Sequence, residues 1–192
     1  SPKPSPLVEE LAGYRRKMVY LGEINELQRR LAGILDLPSM IEAFSIWLAP
    51  HLKHELIAYR HFSCKRIHMS CSSHGPHRQE MMEMGRRLLY RSLNTEGGTF
   101  GTERDLCFSI WSGDIHNPVD RLVLIHSKSE EYPASVLELV NQAIMELGVG
   151  LARAITYEEL YNQARRDELT GLVNRRVFNE RVPQEAANAH RY

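Results

Sequence analysis

The two ends of the chain follow the periodicity of helices, whereas its middle follows that of strands. From Leu7 to Ile34 apolar residues recur about every three or four positions, which predicts an amphipathic helix of about 28 residues. Between Glu55 and His126 the apolar residues fall mainly in short runs separated by turn residues. From Val136 to Tyr161 the helical spacing returns without a breaker. Strands enclosed by long helices predict an α+β domain with a central antiparallel sheet flanked by helices.

At least four strands are predicted in the middle of the chain. Residues 55–62 and 66–71 are predicted to form an antiparallel hairpin with one wet face, because apolar and polar side chains alternate along the second run. Residues 106–111 and 121–126 are two more apolar runs, joined by a turn-rich segment. Together the four runs predict the sheet.

Two shorter helices are predicted beside these strands. A capping box of Ser39 with Glu42 starts the first, because each side chain can bond to the backbone N–H of the other residue. The second helix covers residues 79–93. The glycine-containing segment 94–105 that follows it is predicted to be a flexible loop.

Composition and charge place the chain among soluble globular proteins. Its 192 residues are 43% hydrophobic and 25% charged, which suffices for one packed domain. The 24 basic residues balance the 24 acidic ones, so charge gives no argument for nucleic acid or an anionic membrane as partner. Short apolar runs predict no membrane span in this segment. Three cysteines and no signal peptide predict a reducing, cytoplasmic location.

Histidines and cysteines concentrate between positions 61 and 77, and both residue types can bind metal ions. Their spacing fits no standard metal site, so we expect solvated histidines and a small buried cysteine, and no metal. The residues of this cluster are His61, Cys64, His68, Cys71, His74 and His77.

A polar segment at 165–176 follows the last helical stripe directly. Gly171 permits a tight turn, because it has no Cβ. Thr170 and Asn174 have side chains that bond to nearby backbone in turns and caps. Taken alone, the segment predicts a joint between two helices with a charged rim.

The order of residues in this segment resembles the start of the catalytic domain in GGDEF diguanylate cyclases. The pattern is Asp-x-Leu-Thr-Gly-Leu-x-Asn-Arg-Arg, and eight fixed residues within ten positions are a specific signal. The resemblance covers only about the last 26 residues of this sequence. The matching residues, interpreted as a coupling motif, are Asp167, Leu169, Thr170, Gly171, Leu172, Asn174, Arg175 and Arg176.

The GGDEF resemblance implies a parent enzyme that joins two GTP molecules into cyclic di-GMP with Mg²⁺. The family's metal- and nucleotide-binding turn, and the product-binding Arg-x-x-Asp before it, do not occur in this sequence. We therefore expect no catalytic residue and no cofactor in this chain. The segment 167–192 is interpreted as the truncated start of a GGDEF domain, with 156–166 as a signalling helix. A GGDEF domain that is degenerate and non-catalytic is the alternative.

The order of helices and strands before the motif resembles a GAF domain, a small-ligand sensor fold. The best local match is the strand 121–125, the acidic turn at 130–132 and the helix 137–160. A PAS domain is the alternative fold. We assign residues 21–155 to the GAF-like domain and 1–20 to a linker and the start of the first helix.

The GAF resemblance implies a ligand pocket between the sheet and the helix 79–93. Its lining would include Met81, Met84, Phe108 and Trp111, although such residues are more often simple core. The ligand is an unknown small molecule. We also predict a parallel homodimer through the helices 7–35 and 136–166, because their apolar stripes are narrow. A domain that only dimerises and senses nothing is a third possibility.

Overall fold

The computed structural model describes residues 6–61, 66–72, 74–91, 97–103, 106–112, 120–127 and 132–165. Within these ranges four helices and five strands confirm the α+β class. In chain order the elements are α1 (Pro6–Ala32), α2 (Leu37–Leu48), β1 (Leu56–His61), β2 (Arg66–Cys71), α3 (Gly75–Tyr90), β3 (Gly97–Glu103), β4 (Leu106–Ser112), β5 (Arg121–Ser127) and α4 (Ala134–Ala164).

The five strands form one antiparallel sheet in the order β2-β1-β5-β4-β3. The central pair is β1 with β5, in which Leu56 lies opposite Ile125 and Tyr59 opposite Leu122. The sheet therefore joins strands that are more than 60 residues apart in sequence, and their register decides which side chains share a face.

Helices α1, α2 and α4 cover one face of the sheet and form what we call the bundle side. From the sheet, Ile57 and Tyr59 of β1 and Leu122 and Leu124 of β5 contact this layer. The helical residues of this core include Leu27, Met40, Ile41, Phe44, Leu48, Ala143 and Leu147. The largest buried side chains of the described residues come mainly from this side.

Helix α3 covers the opposite face, the α3 side, with a separate core. Leu56 and Ala58 of β1 and Val123 and Ile125 of β5 point to it, each one position from a residue of the bundle side. Central strands with both faces buried read as continuous apolar runs. The predicted antiparallel hairpin is confirmed by the pairing of β1 with β2. Its predicted wet face is wrong for β1, and within this pair it is the edge strand β2 that is partly exposed.

Two local predictions are also wrong. Asp36, not Ser39, is the N-cap of α2, and its carboxylate accepts a hydrogen bond of 2.9 Å from the Ser39 backbone N–H. The segment 94–105 contains strand β3, which pairs with β4 along its length. Gly101 lies opposite Phe108, and the aromatic ring occupies the space that a Cβ would need. Glycine here permits close packing and does not signal a loop.

The long helices agree closely with the sequence patterns. Helix α1 has 27 residues, and α4 has 31. Among the described helices, α4 alone is long and apolar enough to cross a membrane by length and composition. Its buried residues from Leu139 to Ala154 pack against α1, α2 and the sheet. This packing accounts for the apolar character of α4 within a folded domain.

The contribution of the Asp36 cap to the free energy of unfolding can be measured. Asp36→Ala removes the acceptor and should lower the free energy of unfolding by about 1 kcal/mol in urea titrations. Asp36→Asn keeps an acceptor and should cost much less, so equal losses would contradict the cap. The hydrogen bond lowers the pKa of Asp36. Its contribution is therefore fully present above the ordinary aspartate pKa and is lost as the pH falls from there through the lowered pKa.

Candidate functional site

The structure brings three of the four predicted pocket residues together on the α3 side. Met81, Met84 and Phe108 belong to one core cluster, and no more than 6% of any of these side chains is exposed. The backbone of Trp111 pairs with Leu122 and Gly98, but its side chain lies outside the described residues. The arrangement is that of a packed core beneath α3, and ligand binding there stays a prediction.

Arginines line the end of this core where α3 finishes. Arg60 and Arg121 lie directly opposite each other on β1 and β5. The Arg60 guanidinium lies over the Tyr90 ring, 4.6 Å from its centroid. The Arg121 guanidinium donates to the carbonyl oxygens of Leu89, at 3.1 Å, and Arg91. Burial, and then the charge of Arg60, lower the pKa of Arg121.

These contacts let the arginines fasten the C-terminus of α3 to the sheet. A guanidinium near the last carbonyl groups of a helix satisfies acceptors that have no partner inside the helix. The positive charges of Arg60 and Arg121 repel each other, because the two residues lie opposite on neighbouring strands. A bound anion would relieve this repulsion and would be stabilised by both guanidinium groups.

A hydrogen-bonded group occupies the other face of the same strand end. The Asp120 carboxylate oxygen Oδ2 accepts from the Tyr59 hydroxyl at 3.0 Å and from Nδ1 of His61 at 2.9 Å. His61 is 7% exposed, so the carboxylate stabilises a nearly buried imidazole. Asp120 was not predicted, because only the sheet register brings it next to residues about 60 positions earlier.

The described members of the histidine and cysteine cluster have different surroundings. His61 bonds to Asp120, whereas His77 on α3 is half exposed and bonds to Glu55 at 3.0 Å. Cys71 lies against the α3-side core, and Cys64 lies outside the described residues. Within the described ranges no three metal-binding side chains converge. His61 and His77 thus each bond to a different carboxylate, and these two contacts belong to separate places in the fold.

The coupling motif, Asp167–Arg176, lies outside the described residues, as do the predicted GGDEF start and residues beyond Arg165. The end of α4 that leads to it is described. There Tyr157 and Tyr161 stack with their centroids 6.3 Å apart, and Arg165 donates to the Tyr161 hydroxyl at 3.0 Å. These contacts extend an ordered surface along the last turns of the helix.

Comparisons with known proteins give a fold and no family. No protein-family model and no curated protein matches this sequence. Among solved structures the chain is similar to one titled "Crystal structure of the GAF domain of a putative sensor histidine kinase from Pseudomonas syringae pv. tomato". The TM-score is 0.53 at 12% identity, and the match covers 80% of this chain and 99% of that one. The predicted GAF-like fold is thereby confirmed.

The role of Arg121 can be tested by stability. Arg121→Met removes the donor to the two carbonyl groups and should lower the free energy of unfolding by about 1–3 kcal/mol in denaturant titrations. Arg86→Met, at an exposed position of α3, is the control and should change it by less than about 0.5 kcal/mol. Equal effects of the two substitutions would show that Arg121 does not fasten α3.

Proposed function

We propose that this chain is the regulatory sensor region of a diguanylate cyclase. The GAF-like domain would sense a signal, and α4 would pass it to a GGDEF domain that begins at the coupling motif. Support comes from the eight matching residues between Asp167 and Arg176, together with a GAF-like fold directly before them. A cytoplasmic location is part of the proposal, because GTP is an intracellular substrate.

The observation that carries this proposal is the change of surroundings along α4. Its residues from Leu139 to Ala154 include nine buried ones that pack within the domain. After Ala154 the apolar side chains of Tyr157, Leu160 and Tyr161 are exposed. At 1.5 Å per residue the helix is about 46 Å long. One rigid element therefore runs from inside the domain to the residues just before the motif.

Such a helix can transmit a rotation or a shift. The GGDEF resemblance implies two catalytic domains that face each other, each with one GTP and with Mg²⁺ as the metal. Within the described residues no carboxylate cluster that could hold a metal ion is present, and the resemblance assigns these ligands to the catalytic domain. The contribution of this chain would be to set the orientation of the two catalytic domains.

Dimerisation is a second part of the proposal, and its surface is the first half of α1. At 100° per residue, five apolar side chains lie within an arc of about 80° on this helix. All are at least 45% exposed, so they do not belong to the core of the domain. They are Leu7, Leu11, Tyr14, Met18 and Leu21. A parallel second copy would bury this stripe as a coiled-coil seam.

The seam on α4 cannot include the residues that already fill the core. Leu147 and Leu151 are buried between α4 and its neighbours. Met145, Val149 and Leu160 are exposed on the same helix. The second seam would therefore lie on this outer face of α4.

Cyclase activity is the decisive test. The full-length protein should convert GTP to cyclic di-GMP in the presence of Mg²⁺, measured by chromatography of the product. Folded, nucleotide-binding protein without turnover would instead support the non-catalytic alternative. A full-length sequence with no GGDEF domain after the motif would overturn both.

The role of α4 as the coupling element can be tested in the same cyclase assay. One alanine inserted after Glu159 rotates everything beyond it by about 100°, whereas seven alanines rotate it by only about 20° from the original phase. We expect the single insertion to change the rate at least about fivefold, in line with ordinary coupling energies, and the longer one to change it less. Wild-type rates in both would exclude α4 as the coupling element.

Dimerisation can be measured by light scattering on the 192-residue chain. Met18→Glu introduces a charge into the exposed stripe and should shift the protein toward the monomer mass. Arg16→Glu, on the opposite side of α1, is the matched control and should leave the dimer intact. A monomeric wild-type chain at high concentration would contradict the proposal.

A further inference from the structure

A cavity of about 150 Å³ lies on the bundle side of the sheet, not on the α3 side where Met81, Met84 and Phe108 lie. Its walls come from β4, β5, the segment after α2 and the N-terminal half of α4. Leu52, Leu137 and Val140 supply its apolar surface. A cavity of this size holds one ring about as large as benzene.

Polar side chains from three parts of the chain meet at the same cavity. Ser109 points to the bundle side, because its neighbour Phe108 points to the α3 side, and it is 2% exposed. His126 of β5 and Asn141 of α4 also line the space. Mostly apolar walls with a few convergent polar groups are the ordinary composition of small-molecule sites.

Two rings give this cavity a preference for planar molecules. The His126 and Tyr132 rings meet edge to face at an interplanar angle of 79°, with centroids 5.9 Å apart. Such an arrangement presents ring surface to a third ring, which can pack against it in offset or edge-to-face geometry. The backbone beside Leu52 also helps to fix the wall, since the Tyr132 hydroxyl donates to the Lys53 carbonyl oxygen at 3.4 Å.

The electrostatic surroundings favour a neutral occupant. The described residues that line the cavity include no carboxylate, lysine or arginine. Behind Leu52, His54 bonds through Nδ1 to the Leu52 carbonyl oxygen and through Nε2 to Ser45. Burial lowers the pKa of His54, and the hydrogen bond to the Leu52 carbonyl oxygen only partly opposes this effect. A charged ligand would lose its hydration here without gaining an opposite charge.

We propose that this cavity binds a small neutral aromatic molecule with a single hydrogen-bonding group, of the phenol class. The ring lies between Leu137, Val140 and the His126–Tyr132 pair. Its hydroxyl reaches the buried polar end at Ser109, which can both donate and accept. The site is separate from the coupling motif, and the proposal does not depend on cyclase activity.

Phenol itself is the probe, used with the 192-residue chain. For a ligand of seven heavy atoms we expect a Kd on the order of 0.1–1 mM. At 10 mM, phenol should then raise the melting temperature by about 3–11 °C. Benzene should bind more weakly because it lacks the hydroxyl, and benzoate should not bind. Amide NMR shifts in the wild-type chain should concentrate at Ser109, His126 and Asn141.

Matched variants locate the site. Leu137→Trp fills the cavity from a partly exposed wall and should abolish the thermal shift, whereas Arg86→Trp, at an exposed position of α3, should preserve it. Ser109→Ala should remove the preference for phenol over benzene. If Leu137→Trp does not fold, the wild-type NMR map and the Ser109→Ala comparison still test whether phenol binds in this cavity. NMR shifts confined to the α3 side, or no saturable binding of phenol, would overturn the proposal.

Discussion

The structure depends on two central strands that are buried on both faces. In β1 and β5 successive residues alternate between two cores, so that Ile57 faces the bundle side while Leu56 and Ala58 face α3. One register, with Leu56 opposite Ile125, aligns both sets at once. A slip of one residue would move each set of apolar side chains to the opposite face of the sheet, where it would meet the wrong helices. The antiparallel pairing of these strands therefore decides which side chains meet the bundle side and which meet α3.

Local patterns predicted the elements that have strong periodicity, and tertiary context determined the rest. The stripes of α1 and α4 and the apolar runs of β1, β4 and β5 were readable from sequence. Strand β3 was not, because Gly97, Gly98 and Gly101 suggest a loop unless the partner strand is known. The same limit applies to Asp36, whose role as a cap depends on where the helix actually begins.

The candidate sites also divide into residues that local sequence patterns predicted and residues that only the tertiary structure brings together. Met81, Met84 and Phe108 were predicted as neighbours and do share a core. Asp120 beside His61, and Arg121 beside Arg60, follow from the register between β1 and β5, and no spacing within one segment indicates them. The bundle-side cavity was also missed, because Ser109 and Asn141 each look like an ordinary polar residue in isolation.

The position of the cavity has a consequence for how a signal would reach α4. A molecule bound there touches Leu137 and Val140 of this helix directly, whereas one on the α3 side acts on α4 only through the sheet. Further along, Leu147 and Leu151 hold the helix between α1 and α2. Small shifts in a close-packed layer are transmitted, because its side chains cannot absorb them locally. A ligand on the bundle side thus has the shorter path to the exposed end of α4.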